Sequence, residues 1–542
     1  MGVRMRWLRL AGLAAVLAVS GCSILPGGTP TPTPTELPPV ELAAPADGLT
    51  LVAESDASAA SVAMSRALYS AAPAAVLAPA GDALLPTAAS AAVALGVPLL
   101  EVGDDDAVQE ELERLGAERA VVAGDVEEIS GVEFVPLPGS AEDASRALGV
   151  RLAACEAEPG LAAVAALDPG QPCLLEAEDA GDASPEPTAR LPRIPDAEPA
   201  TTSVALLVDE PAQLSAAATA RAAGVRVVLL PADDPNPQRS EAAISALSAE
   251  GTSGVLAVGA AFADDARLDW KVRTARSGWQ LPGGGQLLFP NHMLVAIYGT
   301  PGAPVLGVLG EQDLGASIER ARSHAAPYQA LTTRTVVPSF EIISSVASAS
   351  AGPDGNYSNE IDIATIKPWV EEAGRQGLYV VLDLQPGRTD FATQARQYEE
   401  LLAYPHVGLA LDPEWRIGPD QVHLVQIGNV GADEVNTVIA YLEELTDRLS
   451  LPPKLLVLHQ FRLDMLPDRE RVNLASPAAT VLVHADGQGS QPAKQDTWRT
   501  LREGSLIQWW GWKNFYDEDA PVLSPEETMA QVVPAPDLVT YQ

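Results

Sequence analysis

From Met293 to the C-terminus, short apolar runs alternate with amphipathic helical stretches. The runs are MLVAIYG from Met293, TVVPSFEII from Thr335, LYVVLDLQ from Leu378, VGLALDPEW from Val407, KLLVLHQF from Lys454, ATVLVHADG from Ala479 and LIQWWGW from Leu506, with LVTYQ at the C-terminus as a candidate eighth. A strand that is apolar on both faces must be covered on both, so it belongs in a parallel sheet flanked by helices. Helices are expected to begin near Leu314, Ile363, Asp390, Asp433, Asp464 and Lys494. Eight such units over about 250 residues predict a (β/α)8-type barrel from 292 to 542, with a doubly wound open sheet as the alternative.

The first half is α/β as well, and it repeats. Residues Ala74 to Val102 and Ser203 to Pro231 each read as an apolar strand, a loop, an Ala-rich helix, a Gly-Val step and a second strand. Each is followed by an acidic helix and a third strand, at Glu118 to Val126 and Ser253 to Ala261. The matched spacing predicts a Rossmann-like, three-layer domain over 46–275 built from two repeats. An acidic, Pro-rich linker is expected at about 176–199 and a Gly-rich one at 276–291. Neither first strand leads into GxGxxG, so a dinucleotide site is not expected. The Asp104-Asp105-Asp106 run reads as a solvated helix N-terminus.

Within these repeats, Gly96-Val97-Pro98-Leu99-Leu100, Gly224-Val225-Arg226-Val227-Val228 and Val121-Val122-Ala123-Gly124 resemble the type 2 cell-wall-binding repeat of Gram-positive surface proteins. The resemblance implies noncovalent attachment to a cell-wall polymer. Between Glu41 and Ala200 there are 29 acids against seven Arg and no Lys, so an anionic polymer would need bridging cations.

The N-terminus carries an address. Arg4, Arg6 and Arg9 precede an apolar stretch, Leu10 to Val19, that is too short for a comfortable membrane span. Val19-Ser20-Gly21-Cys22 then resembles the lipobox of bacterial lipoproteins. That resemblance implies a signal peptide at 1–21, a lipid on Cys22 and anchorage to the outer face of the cell membrane, while the alternating Thr and Pro of Thr29 to Pro39 predict an extended stalk over 22–45. In such a compartment Cys155 and Cys173 are expected to form a disulfide. The net charge of −38 excludes a general nucleic-acid binder.

Polar residues gather at the ends of the barrel runs: Tyr298, Glu341, Asp383, Asp412, Glu414, His459, Gln460, His484, Asp486 and Lys513. Carboxyl ends of barrel strands carry active sites. Asp412 and Glu414, two apart on a strand, are expected to share a direction and to push one pKa up, as glycosidic cleavage requires. Tyr298, Trp415, Trp509, Trp510 and Trp512 are candidate sugar platforms, with Glu341, His459 and Gln460 as further substrate contacts. Leu409-Ala410-Leu411-Asp412-Pro413-Glu414 looks like the strand-four DxE element of chitinase-like and lysozyme-like barrel glycosidases. The resemblance implies Glu414 as general acid, Asp412 as an orienting group, and Asp383 or Asp486 as a supporting carboxylate. The segments HQF, HADG and WWGWKNFYDED resemble those of actinobacterial lipoproteins. His459 and His484 with Asp486 lack HxxxH or HExxH spacing, and no cofactor or metal is expected. Two readings stay open. One is an envelope protein that binds and hydrolyses an envelope polysaccharide. The other is a noncatalytic surface scaffold with a degenerate barrel.

Overall fold

The computed structural model describes residues 36–43, 48–103, 106–176, 189–195 and 202–542. The expected leader, Cys22, the stalk up to residue 35 and most of the acidic stretch at 176–199 lie outside the described residues. No helix among the described residues is long and apolar enough to cross a membrane.

Eight strands close on themselves: β1 His292–Gly299, β2 Thr335–Ala347, β3 Tyr379–Leu384, β4 Val407–Leu411, β5 Lys454–Gln460, β6 Ala479–Ala485, β7 Trp509–Asn514 and β8 Leu538–Tyr541. All neighbours run parallel, and β1 pairs with both β2 and β8. The sheet therefore has no edges, and the open-sheet alternative falls. A short strand, Ser358–Glu360, adds antiparallel to the extended end of β2. Helices follow most strands, the longest at Leu314–Gln329 and Ala432–Leu449. The helix expected near Asp464 is instead two 3-10 turns, Leu463–Met465 and Arg469–Arg471. Pro467 lies between them, where a missing N–H donor stops any longer ladder.

Side chains alternate along each strand, so every second residue enters the barrel. At the N-terminal end these are apolar: Leu294, Ala296, Val337, Tyr379, Val381, Ala410, Leu455, Val457, Leu482 and Leu538 pack as one cluster. Gly408 belongs to this interior, since a Cβ there would meet the Leu455 carbonyl oxygen at 2.7 Å. The segment expected as a linker at 276–291 is packed rather than free. Its Leu281, Leu288 and Phe289 join the same cluster and close the barrel floor. Gln286, fully buried, donates to the carbonyls of Thr274 and Trp279.

Ahead of the barrel lie two four-stranded parallel sheets. One has the order Leu99–Val102, Ala74–Pro79, Arg119–Val122, Glu133–Pro136. The other has the order Arg226–Leu230, Val204–Val208, Gly254–Val258, Gly48–Val52. In each, the first strand of the sequence copy lies between the second and third. The fourth place is filled differently: by the next segment in the first sheet, and by the chain's own early segment Gly48–Val52 in the second. Helices Ala57–Leu68, Leu85–Leu95 and Leu214–Ala222 pack together between the sheets. Their Ala and Ser residues allow the close approach, and one apolar cluster spans both sheets. Cys155 and Cys173 are joined as a disulfide, their Cα atoms 5.2 Å apart. Helix Leu268–Ser277 docks on the barrel through Arg273, which donates to the Asp447 carboxylate at 2.9 Å and to Ser450 Oγ at 3.0 Å.

Lys454, the first residue of β5, is fully buried, and its ammonium donates to the Tyr404 carbonyl at 2.6 Å; among the described residues no carboxylate is ion-paired with it. Burial lowers its pKa to about 7. Between pH 7 and the ordinary lysine value the unfolded chain binds the proton that the folded one releases, so stability must rise with pH across that window. The contribution is up to about 1.4 kcal/mol per pH unit. Lys454→Met is expected to remove this rise and to be more stable than the parent below pH 7. Urea unfolding at pH 6, 7.5 and 9 tests this, and identical pH profiles would refute it.

Candidate active site

The upper interior of the barrel is polar. Tyr298 enters from β1, Glu341 from β2, Asp383 from β3, His459 from β5, His484 from β6, Lys513 from β7 and Thr540 from β8. Asp412 and Asp486 stand one residue beyond β4 and β6. The register sets His459 beside His484 and His484 beside Gly511, and pairs Lys513 with Thr540. Gly511 is required there, because a Cβ would lie 2.4 Å from the His484 ring. Above this layer opens a cleft of about 570 Å³ whose lining includes Tyr298, Asp412, Glu414, Trp415, Asp486 and Lys513.

His459 is the hub. Its Nδ1 lies 2.8 Å from Asp486 Oδ2 and its Nε2 lies 2.7 Å from Glu341 Oε1. Burial alone would lower its pKa, but the two carboxylates outweigh burial and raise it well above the usual value. The ring is thus an imidazolium that donates both ways. Glu341 also accepts from Thr540 Oγ1 at 2.9 Å. Its pKa, which burial would raise, is held down at about 2 by His459. Lys513 Nζ lies 3.2 Å from Asp486 Oδ1 and 3.7 Å from the centre of the Tyr298 ring. Against burial, Lys513 and His459 together keep Asp486 far below the usual carboxylate range.

The remaining carboxyls behave in the opposite way. Asp383 accepts from the Tyr298 hydroxyl at 2.7 Å. Burial, joined by Glu341 against the pull of His459, lifts it to about 6. Pro413 begins a 3-10 turn, Pro413–Trp415, and the Asp412 side chain caps it by accepting from the Glu414 backbone N–H at 3.1 Å. Asp412 and Glu414 both line the cleft, as expected, but from a turn that follows the strand and not from the strand itself. Asp412 is sunk in the barrel and the turn carries Glu414 into the cleft. Burial raises Asp412 well above the usual range, with Asp383, Asp486 and Glu414 adding to the effect and His459 opposing it. Burial and then the charge of Asp486 lift Glu414 to about 7. Among the described residues no side chain hydrogen-bonds or ion-pairs with the Glu414 carboxyl.

Three expected contacts point elsewhere. Gln460, Trp510 and Trp512 have the opposite parity to His459 and Lys513 and so leave the barrel on its outer face. Gln460 donates to the Arg462 carbonyl and accepts from Arg469. Trp510 and Trp512 pack edge-on against Trp498 of helix Gln491–Arg502, and their indole N–H groups bond to Ile507 O and Asn514 Oδ1. Trp509 stacks on Phe289 at the barrel floor. Trp415 does line the cleft, joined by Phe461, Phe515 and Gln385, which sequence reasoning missed. Phe461 and Phe515 each directly follow a strand, and Thr540 is an inward position of β8, so strand ends and parity were the available signals.

Among the described residues His484 has no hydrogen-bond partner for either ring nitrogen, and burial lowers its pKa to about 4, so it is neutral. Glu341, His459 and His484 could hold a metal ion, with ligand atoms within 4.8 Å of one another. The Glu341–His459 pair is already closed by its own hydrogen bond, and Lys513 adds a competing positive charge.

No family model and no curated protein matches the chain. Among solved structures, Cwp6 from Clostridium difficile aligns at 13% identity with a TM-score of 0.31, over 56% of this chain and 64% of its own.

Removing the hub should strand the buried Glu341 and leave Asp486 with Lys513 alone. His459→Leu is expected to lose about 3–5 kcal/mol of stability at pH 7. In the parent, the depressed Glu341 pKa contributes stability that is complete above about 4.5 and is lost as pH falls toward 2. The variant should lack that acid-side loss. Denaturant unfolding from pH 3 to 7 measures both, and a parallel pH profile in the two proteins would count against the hub.

Proposed function

We propose that this chain hydrolyses an envelope glycan, with Glu414 as the general acid and Asp486 as its ionised partner. The supporting observation is that two carboxyls lining one cleft are driven to opposite protonation states, Glu414 up to about 7 and Asp486 far down. Cleavage of a glycosidic bond needs a proton donor on the leaving oxygen and a carboxylate facing the positive charge that develops on the sugar. Glu414, free of partners, can deliver the proton. Asp486, fixed by His459 and Lys513, supplies the negative charge without reorganising. Asp412 orients substrate from below, Asp383 and Glu341 support this layer, and Trp415, Phe461 and Phe515 offer faces for sugar rings.

The lipobox resemblance supports a lipid on Cys22 and a place on the outer face of the cell membrane. The repeat resemblance supports contact between 46–275 and a cell-wall polymer. Nucleic acid is not a partner in this reading.

The test incubates the purified protein, Ser23 to Gln542, with cell walls and amino-sugar oligomers and counts new reducing ends, with pelleting measured in parallel. Glu414→Gln is expected to lower kcat by about 10²–10⁴. The parent's activity should fall as pH rises through about 7, where Glu414 loses its proton. Pelleting without cleavage would return the protein to the scaffold reading, and an unimpaired Glu414→Gln would remove Glu414 from the mechanism.

A further inference from the structure

We propose, resting on that glycosidase reading, that the cleft selects a glycan with unsubstituted, protonated amino groups over its N-acetylated or anionic counterparts. The charges lining the cleft are Asp412, Glu414, Asp486 and Glu518 against a single base, Lys513, and no arginine is among them. Lys513 is itself committed. It is 2% exposed, lies 3.2 Å from Asp486 Oδ1 and sits over the Tyr298 ring. A uronic acid, a phosphodiester or a lactyl ether would meet four carboxyl groups and no free cation.

The deep end of the cleft makes the stronger point. Asp412 is 3% exposed, and its one hydrogen bond among the described residues comes from the Glu414 backbone N–H. No cationic side chain is hydrogen-bonded or ion-paired to it. Its charged surroundings are His459 on one side and Asp383, Asp486 and Glu414 on the other, and Asp383 Oδ1, buried without a hydrogen-bond partner, lies 3.9 Å from His459 Nε2. Burial keeps the proton on Asp412; once ionised, the carboxylate only accepts hydrogen bonds, and an ammonium offers three donors and a charge, where an acetamido nitrogen offers one donor and none. A sugar ammonium reaching this floor would add to the positive charge of His459 and Lys513 and let Asp412 ionise against it. The protein's net charge of −38 adds a long-range field that draws in a polycation.

The test uses the Glu414→Gln protein, so that binding is read without turnover. Calorimetric titration compares a glucosamine oligomer, the same oligomer fully N-acetylated, and an oligouronide of equal length. The glucosamine oligomer is expected to bind at least tenfold more tightly than the acetylated one and to weaken with added salt, with the uronide weakest. Adding Asp412→Asn, which keeps an oxygen to cap the turn, should narrow the preference to under threefold. If that variant does not fold, Glu518→Gln at the exposed rim should still reduce the preference by about half. Equal or tighter binding of the acetylated or uronic oligomer, or no binding of any of them, would overturn the proposal. The parent's reducing-end assay separates the two ideas. Cleavage confined to acetylated glycan keeps the hydrolase and rejects the amine preference. Amine-selective binding without cleavage does the reverse.

Discussion

An imidazolium clamped between two buried carboxylates organises this barrel. His459 reaches Glu341 below and Asp486 above, so one side chain fixes the charge of groups on β2, β5 and the end of β6. Buried charges are tolerable only when paired and hydrogen-bonded, and His459, Glu341 and Asp486 each are. The consequences spread outward. Asp486 stays ionised, its charge helps keep the Glu414 proton in place, and Lys513 is drawn across the Tyr298 ring. The contrast between an acid and a carboxylate in the cleft therefore originates one layer down.

Much of this was legible from the strand pattern. Runs that are apolar on both faces announced a parallel sheet, and eight of them announced closure. The positions of Tyr298, Glu341, Asp383, His459 and Lys513 followed from the ends of those runs. Parity was the signal left unused. Counting by twos from His459 and Lys513 puts Gln460, Trp510 and Trp512 outside, where the indoles fill the gap under helix Gln491–Arg502. Three tryptophans close together in sequence attract attention as a sugar platform, yet one faces the barrel floor and two face a helix.

What the residues could not disclose was local geometry. Strand alternation predicts that Asp412 and Glu414 are equivalent neighbours, but Pro413 turns the chain and separates a sunken carboxyl from a presented one. Similarly, a Gly-rich stretch reads as a spacer, whereas Leu288 and Phe289 at its end seal the barrel. Both outcomes depend on long-range packing, which composition within a short window does not encode.

The strand order of the second small sheet has a mechanical meaning. Gly48–Val52 lies parallel to Gly254–Val258 at the edge of its sheet, paired with it along its whole length. Tension entering from the N-terminal side first meets Leu37, whose N–H donates to the Arg193 carbonyl, and then the short pairing of Glu41–Leu42 with Tyr69–Ala71. Beyond it, the load falls on a parallel ladder pulled along its axis. Such a ladder resists in shear, all its bonds together, rather than unzipping one at a time. A chain tethered at that end would transmit force to the sheet nearest the barrel in sequence, so the earliest strand of that sheet would also be its tensile fastening.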